Sequence, residues 1–181
     1  MSVIGFIGTG NMGGALAKAV NSAHKYRILL NDKNIEKCDS LAEEIGGESV
    51  DSEKLISESD YIFLGLKPQI LPLVAPEISD ISQKCGGRKI FVSMAAGITL
   101  DSLERYFGKY TPIIRIMPNT PVSIGEGVGL YCAGSEVSQE EKDEFNQVLG
   151  LAGELIEINE NLIDAGCAFS GCGPAFADIF I

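Results

Sequence analysis

The sequence has a single histidine, His24, and no ordering of serine, histidine and acid that could activate a nucleophile, which excludes hydrolase chemistry of the triad type. His24 ends a helical pattern beside Lys25 and is expected on the surface near a helix terminus. Basic residues are also scarce. Lys and Arg number 14 against 25 Asp and Glu, for a formal charge of -11, and no local stripe of basic side chains offsets it. A surface of that sign repels a phosphate backbone, so nucleic acid is not expected as a partner. The five cysteines (Cys38, Cys85, Cys132, Cys167 and Cys172) are scattered without a CxxC pair. With one histidine they make no metal-ligand pattern, so no metal is expected, and free thiols in a reducing cytoplasm fit best. No stretch approaches the ~18 apolar residues of a membrane span. The first residues lack the basic stretch, long apolar run and small-residue cleavage site of a secretory signal. Internal repeats and low-complexity segments are missing as well.

What is present is enough for a folded core: 181 residues, 45% hydrophobic and 22% charged. Val3 to Ile7 is short and apolar, as a strand buried on both faces would be. Met12, Ala15, Leu16, Ala19 and Val20 then recur at spacings of three and four, which puts them on one face of a helix. Arg27 to Leu30 reads as a second strand, and Ile35, Cys38, Leu41, Ala42 and Ile45 as a second amphipathic helix closed by Gly46 and Gly47. The alternation continues with strands at Asp60 to Leu64, Lys89 to Val92, Pro112 to Met117, Gly127 to Cys132 and Glu154 to Ile158. Helices are expected from about Gln69, over Asp101 to Phe107, and near Ser138 to Leu151. Strands alternating with helices imply right-handed crossovers, hence an α/β, Rossmann-like, doubly wound and mostly parallel sheet of about eight strands. Residues 1–158 are expected to form this domain. Residues 159–181 read as the start of an all-helical domain: a helical stretch leads to Ser170-Gly171-Cys172-Gly173-Pro174, and a further helix ends on apolar residues without a capping glycine. The chain is therefore expected to stop inside that second domain.

Chemistry is concentrated where strands give way to helices. Gly8, Gly10 and Gly13 form G-T-G-N-M-G between the first strand and first helix, and Asp32 lies 19 residues beyond Gly13 at the end of the second strand. The first glycine permits a tight turn, the second lets a pyrophosphate approach the backbone, and the third lets helix and strand pack closely. The helix start, with Thr9, Asn11 and Met12, then offers N-H groups to the phosphates. Asp32 would accept hydrogen bonds from the adenosine ribose and favours NADH, whereas neighbouring Lys33 could pair with the 2′-phosphate of NADPH, so both cofactors stay open. Leu66, Lys67 and Pro68 leave the strand Asp60 to Leu64 at the carboxyl edge of the sheet, and Ala95, Ala96 and Gly97 leave the next strand at the same edge. Lys67 could meet the cofactor's ribose or phosphates, and the small residues of the loop through Ala95, Ala96 and Gly97 would let a nicotinamide ring approach. Met117-Pro118-Asn119-Thr120-Pro121 also leaves a strand there, and its two prolines would present the Asn119 amide and Thr120 hydroxyl in fixed directions. The glycine-rich helix start from Gly171 through Cys172, Gly173 and Pro174 to Ala175 would offer successive N-H groups to a carboxylate.

Taken in order, GFIGTGNMGGAL, LKPQ, SMAAGITLDSL, IIRIMPNTP and FSGCGPAF resemble pyrroline-5-carboxylate reductase from Ile4 onward. The pairing of MPNTP with SGxGPA about fifty residues later is the specific part of the likeness. The resemblance implies hydride transfer from NADPH or NADH to the imine of 1-pyrroline-5-carboxylate, giving L-proline, in a homodimer or higher oligomer joined through a helical domain. It places the cofactor on Ile7 to Met12 and Leu66 to Pro68. Asn119 and Thr120 fall near the nicotinamide as catalytic candidates, Met117, Pro118 and Asn119 fall beside the substrate, and Gly171 to Ala175 receive its carboxylate. Two positions depart from the family pattern: Cys172 stands where serine is commoner and Phe176 where tyrosine is commoner. Asp32 is also less usual than the neutral or basic residues of NADPH-preferring members. Two other readings stay open. One is a dehydrogenase of the same architecture, of the beta-hydroxyacid or deazaflavin-dependent type, with a lysine or another hydride carrier in place of MPNTP. The other is a nucleotide-sensing, competence-type relative that binds without reducing.

Overall fold

A computed structural model of the chain describes residues 2–180. Its frame is an eight-stranded sheet in the order β3-β2-β1-β4-β5-β6-β7-β8. The strands are β1 (Val3–Ile7), β2 (Arg27–Asn31), β3 (Glu48–Ser49), β4 (Tyr61–Leu64), β5 (Ile90–Ser93), β6 (Ile113–Met117), β7 (Gly127–Ala133) and β8 (Gly153–Glu157). All neighbours pair in parallel except β6 and β7, which run antiparallel with Arg115 opposite Cys132; β8 then pairs parallel with β7. The helices are α1 (Asn11–Asn21), α2 (Ile35–Ile45), α3 (Ser52–Glu58), α4 (Leu71–Cys85), α5 (Leu100–Phe107), α6 (Gln139–Val148), α7 (Ile163–Gly166) and α8 (Gly173–Phe180).

Helices cover both faces, which is why the central strands are apolar throughout instead of alternating. On one face α1, α2 and α6 bury Leu16, Val20, Leu41, Phe145 and Val148 against Ile4, Phe6, Phe63 and Ile114. On the other, α3, α4 and α5 bury Leu55, Leu71, Ile78, Leu103 and Phe107 against Leu29, Ile62 and Phe91. The start of α7 adds Ile163 to Leu130 and Cys132 of β7. Local chemistry sets the helix limits. Asn34 accepts from the Lys37 N-H at 3.0 Å to begin α2, and Gly46 ends it in the left-handed region at φ 66°. A reciprocal Ser138 and Glu141 capping box starts α6.

Three details differ from the pattern-based expectation. β3 has two residues, too short to show a period, and α3 is a seven-residue helix begun by Asp51, whose carboxylate accepts from the Lys54 N-H. The turn after Pro68 delays α4 to Leu71, because the Lys67 carbonyl first accepts from the N-H groups of both Ile70 and Leu71. His24 is exposed and takes a positive φ of 50° just past α1, in keeping with a surface position at a helix end. No helix among the described residues is long and apolar enough to cross a membrane, and among them no cluster of His, Cys, Asp and Glu could hold a metal ion.

Candidate functional site

The three glycines after β1 divide their work between packing and open space. Gly8 has a φ of +94°, and its N-H donates to the Asn31 carbonyl at 2.8 Å, tying the loop to β2. Its carbonyl oxygen is wedged between two other glycines. A methyl group at Gly13 would lie 2.1 Å from that oxygen, and one at Gly65 would lie 2.3 Å from it. Gly65, directly after β4, did not emerge from the sequence pattern; its signal was a glycine at the end of an otherwise fully apolar strand. At Gly10 a methyl group would meet nothing within 4 Å. Gly10 caps α1 without any side-chain hydrogen bond, and the first helical bond runs from the Gly14 N-H to the Gly10 carbonyl at 2.8 Å. The N-H groups of Asn11, Met12 and Gly13 thus lack an intrahelical acceptor and face a space that only a bare backbone leaves clear. A pyrophosphate fits that combination of open donors and missing side chain.

Asp32 is held against the same loop. One carboxylate oxygen accepts from the Thr9 N-H at 2.7 Å and the Thr9 hydroxyl at 3.1 Å, and the other from the Asn34 N-H at 3.0 Å. Burial works to raise its pKa, but these hydrogen bonds, aided by the positive charge of Lys37, together carry it below the ordinary value. The carboxylate therefore stays charged beside Gly10 and also anchors the glycine loop, a second task beyond the expected contact with a ribose. Lys33 and Lys67 are both exposed along this edge. Ala95 is buried under its loop with its N-H donating to the Ser93 hydroxyl at 3.3 Å, while Ala96 and Gly97 are exposed.

Asn119 is placed differently from expectation. Its side chain is buried, with the amide oxygen accepting from the Val128 N-H at 2.8 Å and the amide nitrogen donating to the Ser170 carbonyl at 3.2 Å. Both ends are thus engaged by backbone, and the residue clamps the loop after β6 to the start of β7 and to the distant Ser170. Thr120 is exposed at the head of a 3-10 turn, Thr120–Ile124. Ser170 has its carbonyl open for Asn119 because Pro174, four residues on, has no N-H to donate. Just upstream the helix widens: Cys167–Gly171 forms a π turn, in which the Cys172 N-H donates to the Cys167 carbonyl at 3.2 Å. This alters the expected row of free N-H groups. Cys172 has already spent its donor and Pro174 has none, so the segment from Ile163 to Phe180 passes from α7 through the π turn into α8 instead of starting afresh at Gly171. Burial pushes the Cys132 thiol up to about 11 and raises Cys167 as well, so neither is a nucleophile at neutral pH.

The carboxyl edge of the sheet thus collects Gly8 to Gly13, Asp32, Gly65 to Pro68, Ser93 to Gly97 and Met117 to Thr120, with Ser170 tied in by Asn119. A cavity of about 480 Å³ opens at the opposite edge, between the carboxyl ends of α4 and α5 and lined by Gln83, Arg88, Lys89 and Thr111. It is remote from these loops, and ligands of doubly wound sheets bind at the carboxyl ends of the strands.

Residues 3–97 match the family model described as NADP oxidoreductase, coenzyme F420-dependent. Pyrroline-5-carboxylate reductase 2 of Homo sapiens is 34% identical over 182 residues, covering 96% of this chain and 56% of the relative. Pyrroline-5-carboxylate reductase of Aquifex aeolicus is 33% identical, covering 98% of this chain and 65% of the relative. Among solved structures, a pyrroline-5-carboxylate reductase from Coxiella burnetii has a TM-score of 0.90 at 29% identity, over 99% of this chain and 67% of its own. The Plasmodium falciparum pyrroline carboxylate reductase with NADP bound has a TM-score of 0.84 at 29% identity, over 99% and 66%. A Mycobacterium tuberculosis 3-hydroxyisobutyrate dehydrogenase, at 12% identity and a TM-score of 0.74, shares the fold alone. The chain spans 56% of the length of the human relative and 65% of that of the Aquifex relative.

Proposed function

Because the chain belongs to the NADP oxidoreductase family that its first half matches, and within it to the pyrroline-5-carboxylate reductases, we propose that the protein reduces 1-pyrroline-5-carboxylate to L-proline with NADPH or NADH. The observation that carries the proposal is the convergence at one sheet edge of an open phosphate cradle at Gly10 and a second segment, Ser170 to Ala175, held there by Asn119. Residues Ile7 to Gly13 and Leu66 to Pro68 hold the dinucleotide, with Asp32 and Lys33 at its adenosine end and Ala95 to Gly97 beside its nicotinamide. When bound, the nicotinamide supplies the hydride. Met117, Pro118 and Thr120 line the other side of the gap, and the turn from Gly171 to Ala175 receives the carboxylate.

These residues bind and orient; none needs to generate a nucleophile. A protonated cyclic imine is already electrophilic, so most of the rate comes from holding its carbon within reach of the hydride donor. Asn119 serves by fixing the loop, since both of its amide atoms are occupied. Residues 159–180 begin a helical domain through which subunits pair. The exposed Phe169, Phe176, Ile179 and Phe180 support that role; the terminal apolar residue Ile181 lies outside the described residues. The five free cysteines support a cytoplasmic setting.

The test is an absorbance assay of NADPH and NADH oxidation by the full-length protein, with proline identified by chromatography. Imine-dependent oxidation with both products supports the proposal. Oxidation only with keto-acid or aldehyde acceptors, or nucleotide binding without turnover, would replace it.

A further inference from the structure

Arg115 sits on β6 between Ser93 and Cys132 of the flanking strands, and it is 1% exposed. One guanidinium nitrogen donates to Glu160 Oε1 at 3.2 Å and the other to Asp164 Oδ1 at 2.7 Å. Its Nε is buried without a partner. The same Glu160 oxygen accepts from the Leu100 N-H at 2.6 Å. A buried, incompletely satisfied guanidinium is a poor way to gain stability, because a packed apolar side chain on that strand face would serve as well or better. What the guanidinium provides is direction: its planar fork reaches two carboxylates one turn apart and fixes where their segment lies.

Three stretches meet at this point. Two residues after Arg115 the chain enters Met117-Pro118-Asn119. Three residues before Leu100 is Gly97, the end of the loop beyond β5. From Glu160 and Asp164 the chain climbs through α7 and the π turn to Ser170 and Gly171. We propose that Arg115 is the positioning residue for the substrate. Through Glu160 and Asp164 it sets the height of the Ser170 to Ala175 segment over the nicotinamide side of the site, while Asn119 fixes the upper end of that segment. The inference rests on the imine reductase reading for its kinetic part only. Gly166 makes the placement demanding, because a methyl group there would lie 2.3 Å from a Leu130 methyl, so α7 is already seated as closely on β7 as a glycine allows.

Arg115→Lys keeps the charge but cannot grip both carboxylates. In the full-length protein it should raise KM for pyrroline-5-carboxylate between about tenfold and a hundredfold, the scale on which small misplacements act. The dissociation constant for NADPH should stay within about twofold, since the cradle at Gly10 is not touched. Hydrogen exchange at the Leu100 amide, read by NMR, should accelerate because its acceptor is no longer held. Arg115→Met should act more strongly in the same directions. If that variant fails to fold, Glu160→Gln with Asp164→Asn removes the two carboxylate charges that Arg115 pairs with, from side chains that are 32% and 76% exposed, and it should likewise raise KM and speed Leu100 exchange. Unchanged KM and exchange in Arg115→Lys would overturn the proposal, as would a loss of NADPH affinity parallel to the rise in KM, which marks general loosening. If the wild-type protein reduces no imine, Leu100 exchange in the same variants still decides whether Arg115 places the segment.

Discussion

Glycines 10 and 13 stand three residues apart in one motif, and their substitution should have opposite consequences. At Gly13 a methyl group would lie 2.1 Å from the Gly8 carbonyl oxygen. That oxygen belongs to a backbone pinned by the Gly8 N-H bond to Asn31, so it cannot swing aside. Gly13→Ala should therefore cost about 3 kcal/mol, the upper part of the range for overpacking. For a chain of this size that is a fall in Tm of roughly 6–12 °C. Gly10 has φ -61° and ψ -169°, a conformation open to any residue, and a methyl there touches nothing. Gly10→Val should change stability by less than about 1 kcal/mol. It should instead deny the pyrophosphate one or two charge-assisted hydrogen bonds from the start of α1, about 3 kcal/mol in all. That corresponds to roughly a hundredfold in Kd. Circular dichroism melts and titration calorimetry with NADPH and NADH on both variants separate the effects. A Gly13→Ala variant that melts within about two degrees of wild type, or a Gly10→Val variant that binds either dinucleotide with unchanged affinity, would refute these roles for the two glycines.

Asp32→Asn keeps an acceptor for Thr9 while removing the charge, so the ratio of kcat/KM with NADPH to that with NADH should rise about tenfold; a fixed ratio would mean that Asp32 does not face the ribose. The folded pKa of Asp32 lies below the ordinary 3.8, so its contribution to stability is complete above about pH 4 and is lost as pH falls through the lower folded value. Acid unfolding followed by fluorescence should accordingly have a shallower limb in Asp32→Asn, and superimposable curves would contradict this. Asn119→Ala strands the Val128 N-H and the Ser170 carbonyl, and should destabilise by about 2 kcal/mol. It should also raise KM for the imine more than that for the dinucleotide, a split that steady-state kinetics would expose or deny.

Much of this was legible from residue order. The buried strands β1, β4 and β5 announce themselves as apolar runs, and the glycine motif stands out because a strand precedes it and an amphipathic helix follows. What was hidden depends on contacts between distant residues. Gly65 matters only because Gly8 and Gly13 meet it across the sheet. Asn119 looks like a ligand group in the sequence, since nothing nearby competes for its amide; its partners, Val128 and Ser170, come from the next strand and from a helix fifty residues on. The π turn leaves no period in the sequence, since it is defined by one wide backbone bond from Cys172 to Cys167. Arg115 is masked by its setting, one charge inside IIRIM, where periodicity marks only a strand. β3 and α3 are too short for any period to emerge.

The reversal at β7 governs the direction in which the rest of the chain travels. Strands β1 to β6 all deliver the backbone to the edge where the glycine loop lies, and a helix following the last of them would depart from that edge. With β7 and β8 inverted, the backbone instead comes down the sheet to Glu160 and must climb again. Its ascent along α7 ends with Ser170 bonded to Asn119. One antiparallel pairing therefore turns an outgoing helix into an incoming one, and brings a late segment to the rim built by the earliest.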